Sequence, residues 1–115
     1  GRVINVSSAT VPLGMPMYAH YVTSKAAVIG LTRSLARELG PQGINVNCVM
    51  PGMTETEVDI PGRSDATRLR VIDMQCIKRT GQAEDVVGVV LFLSSAASSF
   101  IAGQTVLVDG GSAHL

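Results

Sequence analysis

Tyr21-Val22-Thr23-Ser24-Lys25 sets a phenol and an ammonium four residues apart. If the stretch is helical, the two side chains project from one face, one turn apart. The positive charge then favours the phenolate, which suits the pair to general acid–base work. Near a helix N-terminus the backbone dipole acts in the same direction. Ser8 lies thirteen residues upstream, just past an apolar run that reads as a strand. A hydroxyl there could be folded back against the phenol. Tyr18 is a rival for the acid/base, but no basic residue follows it at position 22, so packing or lining a pocket is expected of it.

The elements that must position these groups follow from the pattern of the chain. Val3, Ile4 and Val6 suit a short buried strand that ends at Ser7-Ser8-Ala9-Thr10. Pro12, Gly14 and Pro16 break regular structure and lead into the next helix. From Met17 to Leu39 the period is helical, with Val28, Leu31, Leu35 and Leu39 on one stripe, and Gly40-Pro41 stops it, Gly40 serving as the C-terminal cap. Residues 44–50 read as a second strand closed by Pro51-Gly52, so a parallel pair with a right-handed crossover is expected. Residues 53–80 are less regular, with a helix near Thr67 to Ile77. Five basic and two acidic residues between Arg63 and Arg79 read as a solvated face. Glu84 to Leu93 is rich in β-branched residues, yet two acids at its start and the strand that follows favour a buried helix. Thr105 to Val108 is the third strand. The order describes a three-stranded parallel α/β unit.

The chain has 115 residues, 46% hydrophobic and 16% charged, with nine basic and nine acidic side chains. That suits one domain and excludes disorder or a general electrostatic pull toward nucleic acid or anionic membrane. No apolar run reaches the roughly 20 residues needed to span a bilayer. Cys48 and Cys76 have no metal-ligand spacing, and no metal site is expected. Buried free thiols in a reducing compartment fit them better, which makes a cytoplasmic protein the expectation. His20 and His114 have no partner at a recognisable spacing and are expected at the surface. Met15, Met17 and Met53 flank the reactive stretches as gap-fillers or as an apolar pocket lining. The chain opens on Gly1-Arg2-Val3-Ile4, without an initiator Met and almost without lead-in to a strand, so a piece of a longer protein is expected.

Four segments, in order, resemble the C-terminal half of a short-chain dehydrogenase/reductase of the 3-oxoacyl-carrier-protein reductase type. Asn5-Val6-Ser7-Ser8 is similar to the family's strand-end serine motif. Tyr21-Val22-Thr23-Ser24-Lys25 resembles its Tyr-x-x-Ser-Lys motif, at the matching distance from Ser8. Asn47 to Gly52 followed by Thr56 resembles its Asn-x-x-x-Pro-Gly-x-x-x-Thr segment, and Gly103 to Gly111 its last strand. The resemblance implies the C-terminal part of a doubly wound, parallel-sheet Rossmann fold, with residues 1–115 a single partial domain. It implies an NAD- or NADP-dependent oxidoreductase that transfers a hydride between the cofactor and a carbonyl or secondary alcohol. Tyr21 would be the acid/base, Ser8 would hydrogen-bond the substrate oxygen, and Lys25 would tune Tyr21 and hold the nicotinamide ribose. Pro51, Gly52, the Thr54 backbone and the Thr56 hydroxyl would lie against the nicotinamide end, together with Tyr21 and Lys25.

The family's glycine-rich phosphate loop, the residue separating NAD from NADP and the catalytic asparagine have no counterpart here. No glycine-rich turn joins a strand to a helix N-terminus, which is what a pyrophosphate needs. Thr54 stands where members often carry a small aliphatic residue, a change a backbone contact tolerates. The expected partners are a small carbonyl or alcohol substrate and further copies of the chain, in a homo-oligomer, with no nucleic acid and no membrane. The contrasting expectation is a non-catalytic fragment or oligomerisation remnant that lacks the nucleotide-binding half. The fragment alone is expected to be inactive.

Overall fold

The computed structural model describes residues 1–58 and 60–115. In chain order these form β1 (Arg2–Val6), α1 (Thr10–Leu13), α2 (Ala19–Leu39), β2 (Asn45–Pro51), α3 (Asp65–Met74), α4 (Ala83–Ser94) and β3 (Thr105–Val108). The three strands make one parallel sheet in the order β1-β2-β3, with Asn5 opposite Cys48 and Cys48 opposite Thr105. The fold is α/β, as expected.

β2 is the centre of the core. Val46, Cys48, Val49 and Met50 are fully buried, and Asn47 nearly so. A strand covered on both faces reads as an unbroken apolar run, which is how residues 46–50 appear apart from Asn47. Helix α2 covers the face carrying Asn5 and Cys48, where Asn5 Nδ2 donates to Thr32 Oγ1 at 3.0 Å. Helix α4, with Leu93 fully buried, covers the other. On that side Asn47 satisfies both ends of its amide, donating to the Ile101 carbonyl at 2.9 Å and accepting from the Gln104 N–H at 3.0 Å. Parallel strands adjacent in sequence order with helices on opposite faces need crossovers of opposite hand. One of the two therefore departs from the right-handed rule.

Several local expectations need correction. The loop after β1 contains a short helix, α1, which tolerates Pro12 because the first-turn N–H groups have no partner in any case. Gly14, at φ 59°, ends it. Helix α2 starts at Ala19 rather than Met17, and Met17 sits at φ 68° in the left-handed region, 93% exposed. The buried stripe of α2 is rotated from the expected one. Leu31 is 51% exposed, whereas Thr32 is fully buried and donates to the Val28 carbonyl at 2.7 Å. Gly40 caps α2 as expected, at a right-handed φ of −52°, and the left-handed glycine comes after the following turn, at Gly43. Helix α3 starts two residues before the expected Thr67, where Ser64 Oγ accepts from the Thr67 N–H at 3.2 Å. Of the thiols only Cys48 is buried, which pushes its pKa up; Cys76 is exposed.

Candidate active site

The site follows from how α2 lies on β1. Asn5 meets Thr32, and two residues further along the strand Ser7 Oγ donates to the Lys25 carbonyl at 2.7 Å. The strand advances while the helix runs back, so the two are antiparallel. The first turns of α2 therefore stand beside the C-terminal end of β1. Ligands of open α/β sheets bind outside the carboxyl ends of the strands. Tyr21 and Lys25 are placed at that edge by the chain's path alone.

Lys25 is held there twice. Its Nζ donates to the Val6 carbonyl at 3.1 Å, and its own carbonyl takes the Ser7 hydroxyl. Nζ lies 5.8 Å from the centroid of the Tyr21 ring. The phenol is 38% exposed and so open to a reacting group. Tyr18 packs edge-on against it, with ring centroids 6.3 Å apart, in the packing role expected of it.

Ser8 is buried and anchored by α1. Its Oγ accepts from the Thr10 N–H at 3.2 Å and from Thr10 Oγ1 at 2.9 Å. A hydroxyl offers two acceptor sites and one donor, so the Ser8 O–H proton remains free to be donated. Among the described residues no hydrogen bond joins Ser8 to Tyr21. Groups of this kind often close up only around a substrate.

The end of β2 approaches the same edge. The Ala9 N–H donates to the Pro51 carbonyl at 3.0 Å, and the Gly52 N–H to the Val108 carbonyl at 2.9 Å. Gly52 passes so close to the end of β3 that a Cβ would lie 2.7 Å from Asp109 Cβ and 2.8 Å from its Cα. Asp109 is itself buried and accepts from the N–H groups of Gly111 and Ala113 and from Ser112 Oγ. Thr54 and Thr56 lie in the loop beyond. Thr54 Oγ1 donates to the Gly52 carbonyl at 3.2 Å and Thr56 Oγ1 to that of Val58 at 3.3 Å; neither bond reaches Tyr21 or Lys25.

Several basic residues of this loop region serve structure. Arg63 Nη1 donates to the Thr54 carbonyl at 2.9 Å, Arg68 pairs with Glu55 and Asp65, and Arg79 with Asp85. A cleft of about 750 Å³ along the outer edge of β3 includes Thr54, Gln75 and Thr105, but none of Ser8, Tyr21 and Lys25. Among the described residues no group of three or more His, Cys, Asp or Glu could hold a metal ion, and no helix is long and apolar enough to cross a membrane. Sequence reasoning passed over two contributors, Ser7 and Arg63. Ser7 was legible only as a strand-end residue, because its partner is a backbone carbonyl, which leaves no mark in a sequence.

The parallel sheet and its covering helices belong to a Rossmann fold, and solved structures share it. A family model described as enoyl-(acyl carrier protein) reductase matches residues 1–113, and the chain belongs to this family of short-chain dehydrogenases/reductases. It is 42% identical over 112 residues to a probable galactose dehydrogenase of Rhizobium meliloti, covering 96% of this chain and 44% of that one. To the 3-oxoacyl-[acyl-carrier-protein] reductase of Staphylococcus aureus it is 41% identical over 111 residues, covering 96% and 45%. The crystal structure of a 3-oxoacyl-[acyl-carrier protein] reductase from Brucella melitensis superposes with a TM-score of 0.88 at 38% identity, covering 96% and 41%. The chain thus spans less than half the length of each of these relatives.

Proposed function

We propose that these residues work within a longer oxidoreductase that interconverts a carbonyl and a secondary alcohol using NAD or NADP. The observation that carries this reading is the double anchoring of Lys25 at the end of β1, which sets its ammonium beside the Tyr21 ring at the carboxyl edge of the sheet. The groups present fit the nicotinamide-ribose end of such a cofactor. An ammonium and a phenol stand ready for ribose hydroxyls, and Gly52 lets the backbone pass without a side chain. When bound, the cofactor supplies or accepts the hydride.

The protein's own residues handle the oxygen and its proton. Ser8 donates its free O–H to the substrate oxygen and so orients and polarises it. As negative charge develops on that oxygen during reduction, Tyr21 gives up its phenolic proton to it. The Lys25 ammonium stabilises the phenolate left behind. In the direction of oxidation the phenolate takes the proton back. Pro51 and Gly52 would flank the nicotinamide end, with the Thr54 backbone and Thr56 in the loop beyond them. Thr54 and Thr56 reach it only if the loop beyond Gly52 closes, since their present bonds turn into the loop itself.

The names of the relatives point to two substrate classes, a 3-oxoacyl thioester and an aldose. Met17, four residues before Tyr21 and almost fully exposed, offers an apolar surface that suits the acyl chain. A full-length protein carrying this chain should consume reduced nicotinamide cofactor when given a 3-oxoacyl thioester. Failure to turn over that thioester, galactose and simple ketones with either cofactor would refute the reading. A second reading has its own support. The chain exposes Leu31, Leu91 and Phe100, among other large apolar side chains, as a non-catalytic fragment that pairs with further copies would.

A further inference from the structure

We propose that Ser7 is a positioning residue for the Lys25 ammonium, through the bond from its hydroxyl to the Lys25 backbone carbonyl. This rests on the function proposed above and extends it to a residue that touches neither substrate nor cofactor. Ser7 is 3% exposed, so its hydroxyl has no water to fall back on, and its only partner among the described residues is that carbonyl, 2.7 Å away. The acceptor is unusual. A carbonyl in the interior of α2 already belongs to the helix's own ladder, and a second donor arriving from the sheet fixes the helix along its axis.

Among the described residues, two side chains at β1 tie it to α2 besides the Lys25 ammonium, and they differ in what they hold. Asn5 to Thr32 lies deep between the layers, nearly two helical turns from Lys25. Ser7 to Lys25 lies at the carboxyl edge, on the residue that carries the ammonium. Next to Ser7 in the chain, the Val6 carbonyl receives Lys25 Nζ. One dipeptide at the end of β1 thus grips both the backbone and the side-chain tip of Lys25. With the backbone fixed, the side chain has one distance to span to Val6, and Nζ has a defined place relative to the Tyr21 ring. Without the Ser7 hydroxyl, the first turns of α2 can slide or fray. Nζ then loses its place beside the phenol while the rest of the sheet stays intact.

The test uses a full-length protein carrying this chain and compares Ser7→Ala with Thr32→Val, a control that removes the deeper tie. Ser7→Ala should lower kcat about tenfold, the scale of one lost buried hydrogen bond expressed in the transition state, and move the pH–rate profile to higher pH. Thr32→Val should lower the melting temperature at least as much, yet leave kcat and the pH–rate profile in place. Should Ser7→Ala fail to fold, Ser7→Cys, a weaker donor, should show the same two changes at smaller size. A Ser7 variant that loses only thermal stability, with kcat and pH–rate profile unchanged, overturns the proposal. So does a Thr32→Val protein with the same kinetic changes. Tyr21→Phe in the same series separates the layers. If it destroys turnover while Ser7→Ala is kinetically silent, only the positioning role fails; if Tyr21→Phe is fully active, both fall.

Discussion

Gly52 shows how little freedom single residues have at this edge. The chain leaves β2 through Pro51 and must pass directly over Asp109, whose carboxylate organises the turn after β3. A methyl group on Gly52 would meet both Cα and Cβ of Asp109 well inside contact distance. Neither is the far end of a flexible side chain, so backbone has to move. Gly52→Ala should therefore destabilise the fold by about 1–3 kcal/mol, as overpacking of a tight site does. Urea melts of the two proteins would show it as a lowered midpoint at unchanged slope. An Ala variant as stable as the parent would mean that the two strand ends are looser than described. The serine pair shows the same economy. Ser8 keeps a proton to donate outward, and Ser7 spends its own on the helix.

At the scale of elements, the entry to α4 is set by charge. Arg79 grips Asp85 through two bonds of 2.7 and 2.6 Å, and Asp85 Oδ2 also receives the Gln82 N–H at the start of the helix. The Arg79 guanidinium, with the Gln82 N–H second, holds the Asp85 carboxyl well below the usual carboxylate range. A folded-state value below the unfolded one contributes stability above the unfolded pKa, about 3.9 for Asp, and loses it as pH falls toward the folded value. The stability gap between the parent and Asp85→Asn should thus be full at neutral pH and shrink below about pH 4. A gap that stays constant down to pH 2 would remove the charge from the account.

Much of this architecture was legible beforehand. The strands around Val3–Val6, 44–50 and Thr105–Val108 announce themselves as largely apolar runs ended by Ser, Pro-Gly or Asp-Gly. The long helix shows in its period. What the sequence hid was orientation about the helix axis. A Thr in the core looks polar, and only its partners Asn5 and the Val28 carbonyl make its burial tolerable, so by sequence Leu31 reads into the place Thr32 takes. The placement of α4 against the face opposite α2 was equally hidden, because crossover handedness is a tertiary choice. Tyr21, Lys25 and Ser8 stand out as candidates through their spacing. The closeness of Ser7 to the Lys25 backbone was not.

The whole molecule exposes more than its mass requires. Its accessible surface is 7167 Å². A folded monomer of 12.0 kDa should expose about 6,000 Å². The radius of gyration, 14.9 Å, also exceeds the roughly 13 Å of a compact chain of this length. Part of the excess is apolar, with Leu91 65% exposed on α4 and Phe100 fully so. The outer edges of β1 and β3 add unpaired backbone groups. The 115-residue chain by itself should therefore sediment as a dimer or larger species at micromolar concentration. It should also bind NAD(H) and NADP(H) weakly, since among the described residues no glycine-rich turn at a helix N-terminus is there to hold a pyrophosphate. A monodisperse monomer with micromolar cofactor affinity would contradict both expectations.

Centrally, Tyr21 moves the proton, while Lys25 and the groups beyond this site supply most of the hold on the nucleotide. The most direct test of this division is kcat for carbonyl reduction by a full-length protein carrying Tyr21→Phe, with the cofactor dissociation constant measured on the same preparation. In that protein kcat should fall by about 100-fold or more, the usual worth of a general acid, while cofactor affinity changes by less than about threefold. A Tyr21→Phe protein that keeps more than about a tenth of the parent's kcat would contradict it, and the proton would then have to come from another group.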